Sequence, residues 1–238
     1  MIDLNQIYLG DCQELMQEIP DGSIDPILQD PPYNTTACKW EWDIMSRIDE
    51  FWAQWKRIIK PNGAIVMTAS QPFTSKLVMS NLKMFKYEWI WDKKSVSNPQ
   101  LAKIQPLKAH EDIVIFGSGR IVYHPQGVYP TTHARKKDSS TLGHCQRRAY
   151  TQTQTGYPKS ILSCGVEHGL HPTQKPVTLF EYLIRTYTDE GDTVFDGFAG
   201  SGTTAVACLN TKRNYICVEK DFDYWYSTSD RVSKHTQI

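Results

Sequence analysis

At 238 residues, with 26 basic and 26 acidic side chains, the chain is long enough to bury a sizeable core and to carry an inserted piece. Its balanced charge excludes a protein that meets a polyanion with its whole surface, so any such partner must find a local patch. Six cysteines lie scattered without a C-x-x-C pair in a chain too large to need a disulfide framework, which predicts a reducing, cytoplasmic setting.

The N-terminal stretch MIDLNQIYLGDC has no basic segment followed by an apolar one, and no apolar run approaches the roughly 20 residues of a membrane span. Neither export nor a membrane is expected. In chain order, QIYLG reads as a strand, CQELMQEI as a helix, SIDPIL as a strand, IDEFWAQWKRII as a helix and GAIVMT as a strand. That alternation is the grammar of a parallel α/β sheet. PNG at Pro61 to Gly63 marks a turn, and FKYEWIWD and EDIVIFG are two further strand candidates.

From Gly117 to Leu170 the apolar period lapses. The span carries seven basic residues against two acidic ones, a local charge of about +5. Its histidines and tyrosines interleave with arginines, which favours a polyanion-binding insert over a merely solvated loop. Beyond it, PVTLFEYLIRTYT sets Phe180, Leu183, Ile184 and Tyr187 on one helical face. DTVFDGFAGSGTTAVACLNTKRNYICVEKD then reads as strand, glycine-rich turn, helix and strand, a complete βαβ unit. Residues 1–116 and 171–238 are therefore expected to form two halves of one domain, with 117–170 inserted between them.

Two stretches carry chemistry. In FDGFAGSGTT, Phe195 to Thr204, glycines directly after a strand let the backbone turn tightly and approach a ligand, while the following helix offers unpaired N–H groups. Glu219 ends the next strand 17 residues beyond Gly202, where a carboxylate can accept from both hydroxyls of a ribose. Tight helix-on-sheet packing with a surface acid is the plainer alternative.

The second stretch is ILQDPPYN, Ile27 to Asn34. A proline fixes its own φ and forces the residue before it to be extended, so Asp30 and Pro31 are both held extended. Pro31 and Pro32 lack an N–H, so this elbow offers acceptors without competing donors, and with the Asp30 carboxylate it suits an amino group. Tyr33 adds a flat face on which a planar base could stack, worth roughly 1–3 kcal/mol in comparable contacts.

DPPY at Asp30 to Tyr33 and FAGSG at Phe198 to Gly202, with HPTQKP at His171 to Pro176, resemble the signatures of the DNA amino-methyltransferases. These enzymes move a methyl group from S-adenosyl-L-methionine to an exocyclic base nitrogen. DPPY comes first, a variable basic segment follows and the glycine turn comes near the C-terminus, which is similar to the permuted β-class order. LGDC at Leu9 to Cys12 extends the likeness over nearly the whole chain.

The resemblance implies a Rossmann-like methyltransferase fold: a mainly parallel sheet with helices on both faces and permuted motif order. It also implies a site-specific adenine-N6 activity on double-stranded DNA, with the base flipped from the stack. Residues 1–116 would be the catalytic half, 117–170 the target-recognition insert and 171–238 the cofactor half. Asp30, Pro31, Pro32 and Tyr33 would be catalytic. Asp11 would take the cofactor adenine, Glu219 the ribose, and Phe198, Gly200, Ser201, Gly202 and Thr203 the methionine and ribose side. Thr173 and Lys175 would close over the methionine end, and Asp30 and Asp196 complete the cofactor set. Arg135, Lys136, Lys137, Arg147 and Arg148 would meet phosphates, with the loop from Asp92 to Lys108 a second DNA contact. No metal is expected, because His144, Cys145, Cys164 and His168 match no common zinc spacing.

The same resemblance brings a restriction endonuclease partner and a homodimer into view. Two positions depart from it. Pro26 falls within the strand that leads to DPPY, where a proline removes a ladder donor, and Gly197 replaces the proline usual before the turn's Phe. Cytosine-N4 enzymes share these motifs but more often carry serine at the Asp30 position. Protein and RNA amino-methyltransferases more often carry asparagine there. A DNA-binding protein with a degenerate methylation site is the reading from a different class.

Overall fold

The computed structural model describes residues 2–33, 47–135, 150–167, 169 and 174–236. The chain separates into two compact units, one formed by Met1–His124 with Ser160–Ile238 and the other by Pro125–Lys159.

The first unit holds an eight-stranded sheet. Its strands are β1 (Gln6–Leu9), β2 (Ile27–Gln29), β3 (Ile65–Ala69), β4 (Phe85–Asp92), β5 (His110–Phe116), β8 (Ile161–Ser163), β9 (Thr193–Asp196) and β10 (Asn214–Glu219). They lie in the order β1-β10-β9-β2-β3-β5-β4-β8. β1, β10, β9, β2 and β3 are all parallel, whereas β5 runs antiparallel to both its neighbours. The expected mainly parallel α/β sheet is present. β2 and β9 meet at its centre, where Ile27 pairs with Phe195, and the two halves of the chain join there.

Among the described residues, six helices cover the sheet: α1 (Cys12–Met16), α2 (Ile48–Ile58), α3 (Phe73–Ser80), α4 (Val177–Tyr187), α5 (Thr203–Thr211) and α6 (Phe222–Thr236). Strand side chains alternate between faces, so Ile27, Ile65, Met67, Phe195 and Ile216 pack with α1, α2 and α3. Leu28, Val66, Val194 and Cys217 pack with α4, α5 and Val232 of α6. In α2 the apolar stripe Phe51, Trp52, Trp55 and Ile58 is buried, with Asp49 and Glu50 in its first turn and Lys56 and Arg57 in its last, an order that complements the helix dipole. In α4 the predicted face, Phe180, Leu183, Ile184 and Tyr187, is buried throughout.

Three differences from the sequence reading have local causes. SIDPIL yields only a three-residue strand after Pro26, with Ile24 making an isolated bridge to Ile59. Pro26 stands one residue before β2 and joins the ladder through its carbonyl, which accepts from the Phe195 N–H at 3.1 Å, while Asp25 and Ile27 supply the flanking donors. A central strand thus follows the proline without losing a bond. Helices α3 and α6 were not anticipated. In the second unit, β6 (Tyr129–Arg135) and β7 (Tyr150–Thr155) form an antiparallel hairpin, built from polar and aromatic residues that show no apolar period.

A candidate active site at the carboxyl edge of the sheet

Parallel strands end on one side, and four of them end in acids. Asp11 follows β1, Glu219 closes β10, Asp196 closes β9 and Asp30 follows β2. This edge of neighbouring strands, at the point where the two halves diverge, is where open α/β sheets bind ligands.

Asp11 caps α1 by accepting from the Gln13 N–H at 2.8 Å and stands 3.5 Å from the Lys220 ammonium. Glu219 accepts from the Gly200 N–H at 2.8 Å and the Asp221 N–H at 2.9 Å, so the glycine turn is tied directly to the end of β10. Burial in the main raises the Glu219 pKa. Asp196 is buried, accepting from the Phe198 N–H at 2.9 Å and from the Thr204 hydroxyl. Burial, helped by the charges of Asp30 and Glu219, pushes its pKa up to about 7 against the hydrogen bonds that lower it.

The turn itself needs glycine twice. Gly200 and Gly202 have φ of 52° and 76°, and a Cβ on Gly202 would lie 2.5 Å from Thr228 Cγ2. Ser201 and Thr203 are buried with their hydroxyls 3.2 Å apart. Phe198 packs on Phe51 with ring centroids 5.9 Å apart.

Around Asp30 the polar groups converge. Its carboxylate is met on both oxygens by Lys175 Nζ at 2.7 and 2.8 Å, and it accepts from Tyr33 Oη at 2.9 Å and from the Thr68 hydroxyl. Lys175 is 6% exposed. Burial alone would lower its pKa, but Asp30 and Glu111 raise it above the ordinary lysine value. Its carbonyl meanwhile accepts from the Thr203 hydroxyl at 3.0 Å, so this one residue touches both the glycine turn and the elbow.

Tyr33 stacks on Phe73 at 5.4 Å and lies 5.5 Å beneath the Lys175 ammonium. Burial, then the neighbouring carboxylates, lift its phenol well above 10, so it stays a neutral donor.

The sequence reading missed Glu111 and Thr68, and placed Lys93 only within the Asp92 to Lys108 loop expected to touch DNA. Because β5 is antiparallel, its first residues arrive at the edge where the parallel strands end, and Glu111 is the second residue of β5. Glu111 accepts from Lys93 Nζ at 3.0 Å, and lies 3.3 Å from Tyr33 Oη, whose one proton goes to Asp30, and 3.5 Å from Lys175 Nζ. Burial would raise its pKa, yet Lys175 and Lys93, with Lys108 behind them, hold it below the usual glutamate value. Thr173, Lys136, Lys137, Arg147 and Arg148 lie outside the described residues. Arg135 closes β6 of the second unit. The described residues contain no group of three or more metal-ligating side chains placed to hold an ion.

The fold has solved counterparts. The M1.HpyAVI complex with S-adenosylmethionine matches at TM-score 0.64, with 24% identity over 95% of this chain and 98% of that one. The cytosine-N4-specific PvuII DNA methyltransferase matches at TM-score 0.71, with 18% identity over 98% of this chain and 90% of that one. The architecture is that of the S-adenosylmethionine-dependent DNA methyltransferases.

Residues 24–230 match the model of the N6/N4 methyltransferase family, described as DNA methylase, and the chain belongs to that family. Among curated proteins, the Type II methyltransferase M.HpaI of Haemophilus parainfluenzae is 25% identical over 243 residues, covering 95% of this chain and 74% of M.HpaI. The protein is therefore a DNA methyltransferase whose cofactor is S-adenosylmethionine. The edge fits that cofactor. Three partly exposed carboxylates, Asp11, Asp30 and Glu219, suit a ligand that is cationic at sulfur and rich in hydroxyl and amino donors. The buried Gln29 amide, unpaired at both atoms, stands 3.4 Å from the Cβ position of Gly197 beside the turn. No helix among the described residues is long and apolar enough to cross a membrane.

Proposed function

We propose that the protein methylates the exocyclic N6 amino group of adenine at specific sites in duplex DNA, acting on a base flipped out of the stack. The observation that carries this reading is the Asp30 carboxylate, fixed at the end of the central strand by Pro31 and Pro32 and standing between the glycine turn and Tyr33.

An adenine amino nitrogen is a poor nucleophile because its lone pair is delocalised into the ring. Asp30 and the Pro31 carbonyl accept its two N–H bonds and favour a pyramidal nitrogen. S-adenosylmethionine supplies a methyl carbon already activated by its sulfonium leaving group, so no covalent enzyme intermediate is needed. A nitrogen–carbon bond forms as the carbon–sulfur bond breaks, and Asp30 accepts the proton that the amino group loses. What remains for the protein is alignment.

In this reading Asp11 serves the adenine of the cofactor and Glu219 its ribose. Asp196, Phe198, Gly200, Ser201, Gly202 and Thr203, with Thr173 and Lys175, serve its remaining length. Arg135, Lys136, Lys137, Arg147 and Arg148 supply phosphate contacts. A restriction endonuclease partner, a homodimer and a cytoplasmic location belong to the same proposal.

The cytosine-N4 alternative has the likeness to the PvuII enzyme in its favour. Asp30, where that class more often has serine, speaks against it. The deciding experiment incubates unmethylated DNA with labelled S-adenosylmethionine and resolves the nucleosides. Label in N6-methyladenosine, lost in Asp30→Ala while cofactor binding persists, is the expected result. Label in N4-methylcytosine selects the alternative, and no transfer by the intact protein to any duplex selects a degenerate site.

A further inference from the structure

Asp30 Oδ1 is already full. A carboxylate oxygen offers about two lone-pair directions, and Oδ1 receives Lys175 and the Tyr33 and Thr68 hydroxyls, whereas Oδ2 receives Lys175 alone. An incoming amino group can bond to Oδ1 only if a donor leaves, and a lysine ammonium 6% exposed cannot leave for water. It needs a second buried acceptor within reach.

Glu111 is that acceptor. The two donors nearest Asp30 that can move are each already within range of it: Lys175 Nζ at 3.5 Å and Tyr33 Oη at 3.3 Å. Lys93 anchors the Glu111 carboxylate from the end of β4 at 3.0 Å, and Lys93 is held in turn by Ser97. The charged and titratable groups that face Glu111 are Lys93, directly after β4, Lys108 from the loop beyond it, Lys175 from the segment before α4, and Tyr33 from the elbow.

We infer that Glu111 is a positioning residue in a hand-over: when the target amino group reaches Asp30, Lys175 and Tyr33 pass to Glu111, and they return when the methylated base departs. The inference rests on the reading of Asp30 as the acceptor of the amino group. It makes resting Asp30 an ion pair with Lys175 that a donor-bearing base opens.

Glu111→Gln removes the charge that receives Lys175. With DNA and labelled cofactor, its kcat should fall by about tenfold or more, while equilibrium binding of S-adenosylmethionine changes less than about twofold. Without Glu111 the ammonium stays on Asp30, so the loss falls on kcat while cofactor binding is kept, a split that a merely structural residue would not produce. In a Lys175→Gln background the same Glu111 change should cost less than about twofold further. If Glu111→Gln fails to fold, Glu111→Asp, which keeps the charge and loses reach, should lower kcat in the same direction by a smaller factor. Wild-type kcat in a folded Glu111 variant, or the full loss repeated in the Lys175→Gln background, overturns the hand-over. Methyl transfer that survives Asp30→Ala overturns the reading of Asp30 instead.

Discussion

Replacing Asp196 by asparagine should stabilise the protein in alkaline buffer and leave it unchanged in acid. Asp196 is 2% exposed, and burial lifts its pKa from an ordinary value near 3.8 to about 7. The folded state therefore binds this proton more tightly than the unfolded chain. The stability it contributes is full below about pH 3.8, falls as the pH rises, and is gone above about 7. A difference of that size corresponds to about 4 kcal/mol between the two forms, at 1.36 kcal/mol for each pH step. Asparagine cannot ionise, yet its oxygen can accept from the Phe198 N–H and its amide can donate to the Thr204 hydroxyl, the two partners the carboxyl has now. Urea unfolding at pH 8.5 should show Asp196→Asn more stable than the parent by up to about 4 kcal/mol, and the gap should narrow to about 1 kcal/mol near pH 4.5 and to within about 0.5 kcal/mol near pH 3.5. Cofactor binding should move the other way. A cation at this edge favours the ionised carboxyl, so the parent should release a fraction of a proton on binding near pH 7, read by titration calorimetry in two buffers of different ionisation enthalpy. An equal stability difference at both pH values would refute the assignment of this titration to Asp196.

Gly202→Ala sets a Cβ at φ 76° and 2.5 Å from Thr228 Cγ2, which should cost about 2–4 kcal/mol in urea unfolding; Thr228→Ser removes that methyl and should recover about half of the loss. Tyr187→Phe strips the acceptor from Trp89 Nε1, 2.7 Å away in the core, and should cost about 1–3 kcal/mol by thermal or urea unfolding. Arg147→Ala combined with Arg148→Ala should weaken DNA binding across sequences and lower the slope of log affinity against log salt by about two.

What could be read from the sequence follows strand direction. In a parallel strand the functional residue comes after the apolar run, so Asp11, Asp30, Asp196 and Glu219 stand out as acids at the ends of QIYL, ILQ, TVF and NYICV. Glu111 comes before its apolar run, and only the antiparallel setting of β5 brings it to the same edge. Nothing in HEDIVIF states that direction, because it is fixed by pairing with β3 and β4, far away in sequence. The hairpin of β6 and β7 was illegible for another reason: a two-stranded ribbon of polar residues buries too little to impose a period of two.

The two departures from the family pattern resolve through neighbours. Pro26 needs no donor because Asp25 and Ile27 supply the ladder on either side of it. At Gly197 a Cβ would come within 3.1 Å of Cys12 Cβ and 3.4 Å of both Cys12 Sγ and Gln29 Nε2. Cys12 is the first residue of α1 and Gln29 the last of β2, both buried, so neither backbone can retreat. A proline ring there would require smaller partners on the adjoining elements, and the glycine is the complement of Cys12 and Gln29. Pro26 is answered by the residues on either side of it, whereas Gly197 is answered across the sheet, by Cys12 and Gln29, which the strand order β1-β10-β9-β2 brings alongside.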